Sequence, residues 1–255
     1  MLRLRTVLLL STCATVTAWA DVLLQDDFDD GDALGWHEAS LVEFDVVDGM
    51  YRMYGGYEQN HGISFNGDLD GYMSVPDYSA VCLILPETGT FFGMMARFSQ
   101  DVGANVMLVA SLPHQALMLY RWNWTGITLL DQAAFEVAPG NAFRMRFEVS
   151  GTTFSGRAWT GGTEPGVWMV SASDTLSGPG SLALFCAGLS DVSLCCLFDD
   201  VEVCGPPAAL EGSTWGALKA AVTIGRTADG GAILPRTVGT LLDLEAGRSE
   251  RGGSS

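Results

Sequence analysis

An all-β fold, built as a two-sheet antiparallel sandwich, is predicted by three features of this chain. The first is alternation. In Phe143-Arg144-Met145-Arg146-Phe147-Glu148-Val149 apolar side chains alternate with charged ones, so one face of an extended segment enters a core while the other meets water. The second is punctuation: turns containing Gly, Pro or Asp separate many short apolar runs between residues 21 and 204, and no window there carries a long helical period with caps. The third is the pair of ends. Leu23-Leu24-Gln25-Asp26-Asp27-Phe28-Asp29-Asp30-Gly31 opens the region and Leu197-Phe198-Asp199-Asp200-Val201-Glu202-Val203 closes it, two acid-bearing strand-like runs expected to lie side by side.

Along the chain, residues 1–20 carry Arg3 and Arg5, then an apolar run from Val7, and end Ala18-Trp19-Ala20, the charged, apolar, small-residue order of a signal peptide. Asp21 is the expected mature N-terminus. Cleavage before Cys13 as a lipoprotein fits less well, because Thr12 is bulky and the apolar region would be very short. A strand through Phe44 and Val46 is expected to return through Met50, Arg52 and Tyr54, since Asp48-Gly49 supplies the positive φ angles of a tight hairpin. Further strands are predicted over residues 90–98, 105–112, 116–122 and 143–149, the last turning at Ser150-Gly151 into residues 152–159, and over 180–186. Residues 21–204 thus form one sandwich domain, a size that single all-β domains reach. Beyond it, Gly205-Pro206-Pro207-Ala208-Ala209 reads as a linker, and Ser213 to Ala221 as a short helix capped by Ser213 or Thr214. The rest of residues 205–255 is expected to be mostly disordered tail.

Charge limits the partners. The chain has 30 Asp and Glu against 13 Lys and Arg, a formal net charge of −17, and residues 21–204 contain no lysine. Phosphate recognition needs a basic surface, so nucleic acid and anionic membranes are excluded as partners, whereas divalent cations are compatible. No apolar stretch after residue 20 reaches the roughly 18 to 20 residues of a membrane span, so an exported chain in the periplasm, at the cell surface or secreted is expected. Cys82, Cys186, Cys195, Cys196 and Cys204 would remain after cleavage. The odd count leaves a thiol unpaired, no Cys/His spacing suits zinc, and several of these cysteines sit in apolar runs where a small buried hydrophobe is the ordinary role.

The segments Phe92-Gly93-Met94-Met95-Ala96-Arg97-Phe98, Met118-Leu119-Tyr120-Arg121-Trp122, Phe143 to Val149 and Phe198-Asp199-Asp200-Val201-Glu202-Val203 resemble, in that order, the strands of concanavalin A-like jelly-roll domains of the laminin-G-like type. The resemblance spans nearly all of residues 22–204. It implies the sandwich fold and a role as carbohydrate-binding module, adhesion domain or accessory part of a secreted glycosidase. It also implies a structural calcium where the first and last strands meet, with Asp27 or Asp30 and Asp200 as ligands and carbonyls near Gly31 completing the six to eight oxygens that this ion takes. In the last strand, strict alternation would put Asp199 on the inward face with Leu197, Val201 and Val203, where it needs an ion or a hydrogen-bond partner.

Candidate binding residues come from aromatic spacing. Tyr120, Trp122 and Trp124 fall at alternate positions and would share one face of a strand that continues through Thr125, an arrangement that serves either as a sugar-stacking platform or as core. Catalytic residues are harder to find. Glycosidases of this fold carry paired acids on one strand; the nearest match, Glu43-Phe44-Asp45-Val46-Val47-Asp48, ends in the Asp48-Gly49 turn, where the last acid points away from any strand face. No nucleophile elbow is present, and His61 and His114 have no nucleophile beside them in sequence. Asn66 to Asp77 places oxygens like a calcium-binding loop, but its Asn-Gly and Asp-Gly dipeptides are also ordinary turns and Pro76 stops an exit helix. The resulting expectation is an exported, non-catalytic module for carbohydrate or a cell-surface partner. A glycoside hydrolase of the same fold and a structural or adhesion protein of the envelope are the alternatives.

Overall fold

The computed structural model describes residues 21–56, 61–66, 76–99, 104–123, 126–176, 178, 180–188 and 193–206. The expected signal peptide, residues 67–75 of the calcium-like loop, Trp124 and the tail from residue 207 lie outside the described residues. The chain divides into two units, Met1–Ala209 and Leu210–Ser255, and all described structure belongs to the first.

Two antiparallel sheets pack face to face as a sandwich, with no helix among the described residues. The first sheet runs in the order β13 (Val170–Ser173), β12 (Thr153–Trp159), β11 (Phe143–Ser150), β6 (Tyr78–Thr88), β15 (Leu194–Cys204), β4 (Met50–Gly55), β3 (Glu43–Val47), with β1 (Val22–Asp26) also paired to β15. The second runs β10 (Gly126–Ala134), β9 (Ala116–Asn123), β8 (Ala104–Ser111), β7 (Phe91–Phe98), β14 (Ser181–Ala187), β5 (His61–Asn66), β2 (Trp36–Glu38). The strands predicted from alternation are present within one or two residues of their expected bounds. The Asp48-Gly49 turn has the expected positive φ at both positions, 53° and 73°.

Alternation becomes a core. Phe143, Met145, Phe147 and Val149 of β11 and Tyr78, Ala80, Cys82 and Ile84 of β6 face inward against Met94, Leu108, Leu119 and Leu184 of the second sheet. Each large apolar side chain so buried contributes about 1.5–3 kcal/mol. Gly156 is what lets the sheets close at one point, because a β-carbon there would stand 2.5 Å from Leu108 Cδ2 of the opposite sheet. Cys82, Cys186 and Cys196 are buried free thiols, their ionisation pushed up chiefly by burial, and they act as small core residues.

The opening and closing strands do pair. Asp26 lies opposite Val201, Gln25 opposite Glu202 and Leu24 opposite Val203, while the first half of β15 pairs on the same side with β4, from Leu194 opposite Gly55 to Phe198 opposite Tyr51. Between the two partners β15 bulges at Asp199-Asp200, where the register to β6 shifts and Asp200 adopts φ 49°. The extra residue resets the alternation. Cys196 and Phe198 face the core before the bulge and Val201 and Val203 after it, so the strict alternation expected for Leu197, Asp199 and Val201 does not hold and Asp199 is only half-buried. Into the gap between β1 and β4 goes Phe28, fully buried with φ 51° and stacked on Tyr51 at 5.3 Å.

One end of the sandwich is fastened by Arg97. Its side chain is only 3% exposed, and its guanidinium donates to the carbonyls of Leu176 (2.5 Å), Gly151 (2.6 Å) and Pro76 (3.2 Å) from above the Phe154 ring.

Candidate functional site

Side chains that leave the core on the far side of the second sheet form a second apolar cluster. Phe65, Met95, Phe98, Met107, Val109, Met118 and Phe185 belong to it, all from strands of that sheet. Register arranges them in rows: Met95 opposite Met107, Met107 opposite Tyr120, and Tyr120 opposite Leu129; one step along, Asn105 lies opposite Trp122 and Trp122 opposite Ile127. Because β7 contributes Gly93 to the row between Phe185 and Val109, that row lacks a central side chain. The face is hollowed into a groove of about 690 Å³, within the range of small-molecule sites. Its floor is Met95, Met107, Val109, Phe98 and Phe185; Tyr120 and Trp122 stand half-buried at one side with exposed Ile127, and His61 and Ile63 lie on the β5 side.

Polar groups are few. The Tyr120 hydroxyl donates to Met118 Sδ at 3.2 Å, and burial raises its phenol above the ordinary range, so it stays a neutral donor. Tyr120 and Trp122 are therefore brought together on one face, as their spacing predicted. The strand itself ends at Asn123 and β10 opens at Gly126, so it does not continue through Thr125 and Trp124 lies outside the described residues.

The acidic residues of the β1–β15 seam are arranged differently. Asp27 and Asp200 do meet at one cleft of about 230 Å³, shared with Asp26, Glu202, Arg144 and Arg146, but Asp30 is not among its lining residues. Asp200 is paired to Arg144 at 2.5 Å. Asp26, Asp27, Asp30 and Asp32 each cap the backbone N–H two residues on, those of Phe28, Asp29, Asp32 and Leu34, and Asp26 also accepts from the Trp36 indole at 2.7 Å. Asp199 is shifted upward, first by burial and then by the like charges of Asp200, Asp29 and Asp27, an effect partly offset by the Asp200 N–H that it accepts. Among the described residues no three carboxylate, histidine or cysteine side chains converge as a metal site. As arranged, Asp200 carries an arginine and Asp27 and Asp30 serve as turn caps.

The paired acids examined for catalysis are occupied too. Asp45, on edge strand β3, is held by Arg52 through two hydrogen bonds of 2.8 and 2.5 Å, Glu43 is exposed, and Asp48 sits in the turn. Asp77, at the end of the calcium-like loop, accepts the Gly151 N–H at 2.9 Å.

Solved structures share this architecture. The carbohydrate-binding module CBM66 from Bacillus subtilis aligns with a TM-score of 0.55 at 11% identity, covering 67% of this chain and 96% of that one. A protein of unknown function with a galectin-like fold from Bacillus subtilis aligns at 0.53 and 10% identity over 73% of this chain and 96% of its own. Xylan β-1,4-xylosidase from Bacillus halodurans C-125 aligns at 0.53 and 12% identity over 71% of this chain but only 38% of its own length. The chain has the jelly-roll β-sandwich fold. No family model and no curated protein sequence matches it. At such low identity the likeness establishes architecture alone, since this sandwich hosts unrelated functions.

Sequence reasoning found two residues of the groove and missed the rest. Met95, Met107 and Phe185 lie in runs that are apolar on both faces, β7 and β14 above all, where no alternation separates a core side from a ligand side. Asn105 was legible only as the start of a strand. It is fully buried and does not line the groove, and among the described residues neither its Oδ1 nor its Nδ2 has a hydrogen-bond partner.

Proposed function

We propose that this protein is an exported, non-catalytic binding module whose carbohydrate site is the groove on the outer face of the second sheet. The observation that supports this is the groove itself, a built cavity flanked by Tyr120 and Trp122, aromatic faces of the kind on which the C–H side of a sugar ring stacks. The fold neighbours include a named carbohydrate-binding module, which is in keeping with this reading. The laminin-G-like subtype and export belong to the same proposal. With Asp45 committed to Arg52 and Asp48 in a turn, the run from Glu43 to Asp48 offers a glycosidase reading no pair of free carboxylates.

Binding of the mature chain to a glycan array, with Trp122→Ala as the comparison, tests the proposal. Glycan retention that Trp122→Ala abolishes while the melting temperature holds supports it. Retention unchanged by that substitution moves the site elsewhere, and an array without any binding leaves a cell-surface protein as the partner. A structural calcium enters this reading only as a cation that displaces Arg144 from Asp200. Melting curves with calcium and with chelator decide it, and superimposable curves retire it.

A further inference from the structure

The groove is long as well as apolar. Its lining runs from Ile127 on β10 through Trp122 on β9, Met107 on β8, Met95 on β7 and Phe185 on β14 to Ile63 on β5, so it crosses six adjacent strands. At about 4.8 Å between hydrogen-bonded neighbours that is a trough of about 24 Å. Polarity is divided along it: the floor is hydrocarbon and thioether, and the polar side chains stand at the margins, the Tyr120 phenol and Trp122 indole on one side and the His61 imidazole on the other. That division selects among occupants. A bare sugar filling the trough would press hydroxyls against Met95, Met107 and Phe185, each losing water without gaining a partner. A polypeptide strand laid on the floor would do the same with its N–H and C=O groups, because β9, β8, β7 and β14 are each paired to a neighbour on both sides and their backbones have no further bonds to give. An anionic lipid meets the negative excess of a chain with no lysine in residues 21–204. A neutral hydrocarbon chain has no polar group to satisfy, and the flexible thioethers of Met95 and Met107 can mould to it.

Resting on the carbohydrate reading of this groove, we propose that its ligand is a neutral glycan joined to a hydrocarbon chain, with a sugar face on Trp122 and the chain laid across Met107, Met95 and Phe185 toward Ile63. The two halves of such a molecule match the two halves of the trough. The half-buried ring of Trp122 takes the sugar at the polar margin, where the remaining hydroxyls face water. Beyond it the chain crosses three strand spacings, from β8 to β5, or about 14 Å. An extended chain advances about 1.2 Å per bond, one third of the reach of an extended residue, so the floor accommodates about a dozen carbons.

The experiment titrates alkyl β-maltosides, from methyl to tetradecyl, into the mature chain below their micelle-forming concentrations and follows binding by calorimetry. Affinity is expected to rise about two- to fourfold per methylene, the upper figure for full burial and the lower for a chain with one side in water, and to level off at about a dozen carbons. Met107→Gln, which puts an amide of nearly the same length into the floor, is expected to weaken dodecyl maltoside at least about tenfold, the scale of burying one unsatisfied polar group. In the wild type the methyl resonances of Met95 and Met107 are expected to move with dodecyl maltoside and not with free maltose, a readout that does not depend on the variant folding. A flat series, a slope that continues past the plateau as adsorption to any apolar surface would give, full affinity in Met107→Gln, or unmoved resonances at saturation each overturn the chain assignment, and arrayed glycans that still bind through Trp122 leave the carbohydrate reading standing. Dodecanol that binds as tightly as dodecyl maltoside keeps the chain and removes the sugar, so the carbohydrate reading alone falls. If no member of the series and no arrayed glycan binds, both fall.

Discussion

Replacing Arg97 by methionine should unfasten one end of the sandwich. The guanidinium holds three carbonyls from three separate segments, Pro76, Gly151 and Leu176, and its side chain is almost wholly sealed from water. Two of these bonds are short, and a hydrogen bond to a charged donor contributes about 1.5–3 kcal/mol. Methionine keeps the apolar stem that packs on Phe154 and removes only the donors, so the loss is about 3–5 kcal/mol once water reaches the freed carbonyls in part. For a domain of this size each kcal/mol moves the melting temperature by roughly 2–4 °C, so a drop on the order of 10 °C is expected. Urea unfolding followed by tryptophan fluorescence measures it, with an unchanged slope showing that the denatured state is not what moved. Arg97→Lys should recover little, because one ammonium on a flexible stem cannot span three carbonyls as a planar fork does. A loss under about 1 kcal/mol for Arg97→Met would mean that the loops are held by something other than this side chain.

Three other substitutions separate the forces in the fold. Burial pulls Glu164 upward, but hydrogen bonds and charge from Arg146 and Arg157 outweigh it and leave the carboxyl below its ordinary range. Its contribution is therefore present above the unfolded glutamate pKa and lost as pH falls through the depressed folded value. Glu164→Gln should destabilise by about 1 kcal/mol at neutral pH, a small figure because solvent reaches the pair, and the gap to wild type should close in acid melts. Asp199 is shifted the other way, by burial and by Asp200, Asp29 and Asp27, so its favourable share exists below the unfolded aspartate pKa and disappears as pH rises through the folded one. Asp199→Asn, which keeps the oxygen that accepts the Asp200 N–H at 2.6 Å, should raise the neutral-pH melting temperature and leave the acid one alone. Gly156→Val drives a branched side chain into Leu108 and should cost at least about 2 kcal/mol by overpacking; a chemical-denaturation midpoint equal to wild type would show that the sheets part more readily than their packing indicates.

How far the sequence could be read depended on whether a strand has one buried face or two. β11 has one, so Phe143 to Val149 announced its length, its direction and its inward residues. β6 carries the same alternation from Tyr78 to Ile84, but it follows a Gly- and Asp-rich stretch that drew the reading toward turns and ions. β7, β8 and β14 are covered on both sides, by the core and by the groove cluster, and their composition is apolar throughout. Period two then carries no information about which side holds a ligand. The bulge at Asp199-Asp200 was equally hidden, since two adjacent aspartates in a strand look the same whether or not an extra residue is present. The pairing of β1 with β15, by contrast, was legible because both ends carried strand-like apolar runs with matching acidic clusters.

The arrangement of charge narrows the ligand further than the groove does. Residues 21–204 hold six arginines and no lysine, and each of Arg52, Arg97, Arg121, Arg144, Arg146 and Arg157 lies within salt-bridge distance of a carboxylate. Four of them, Arg52, Arg144, Arg146 and Arg157, belong to strands of the first sheet, the one that does not carry the groove. Recruiting any of these arginines to an anionic ligand would strip a carboxylate of its partner within a chain that already carries a large negative excess. Sulfated and uronate-rich glycans would therefore meet net repulsion on approach, on a length scale of about 8–10 Å at ordinary salt. The groove contributes nothing to offset that repulsion, since its polar side chains are a phenol, an indole and an imidazole. A neutral, partly apolar ligand is the kind that both the field and the lining admit.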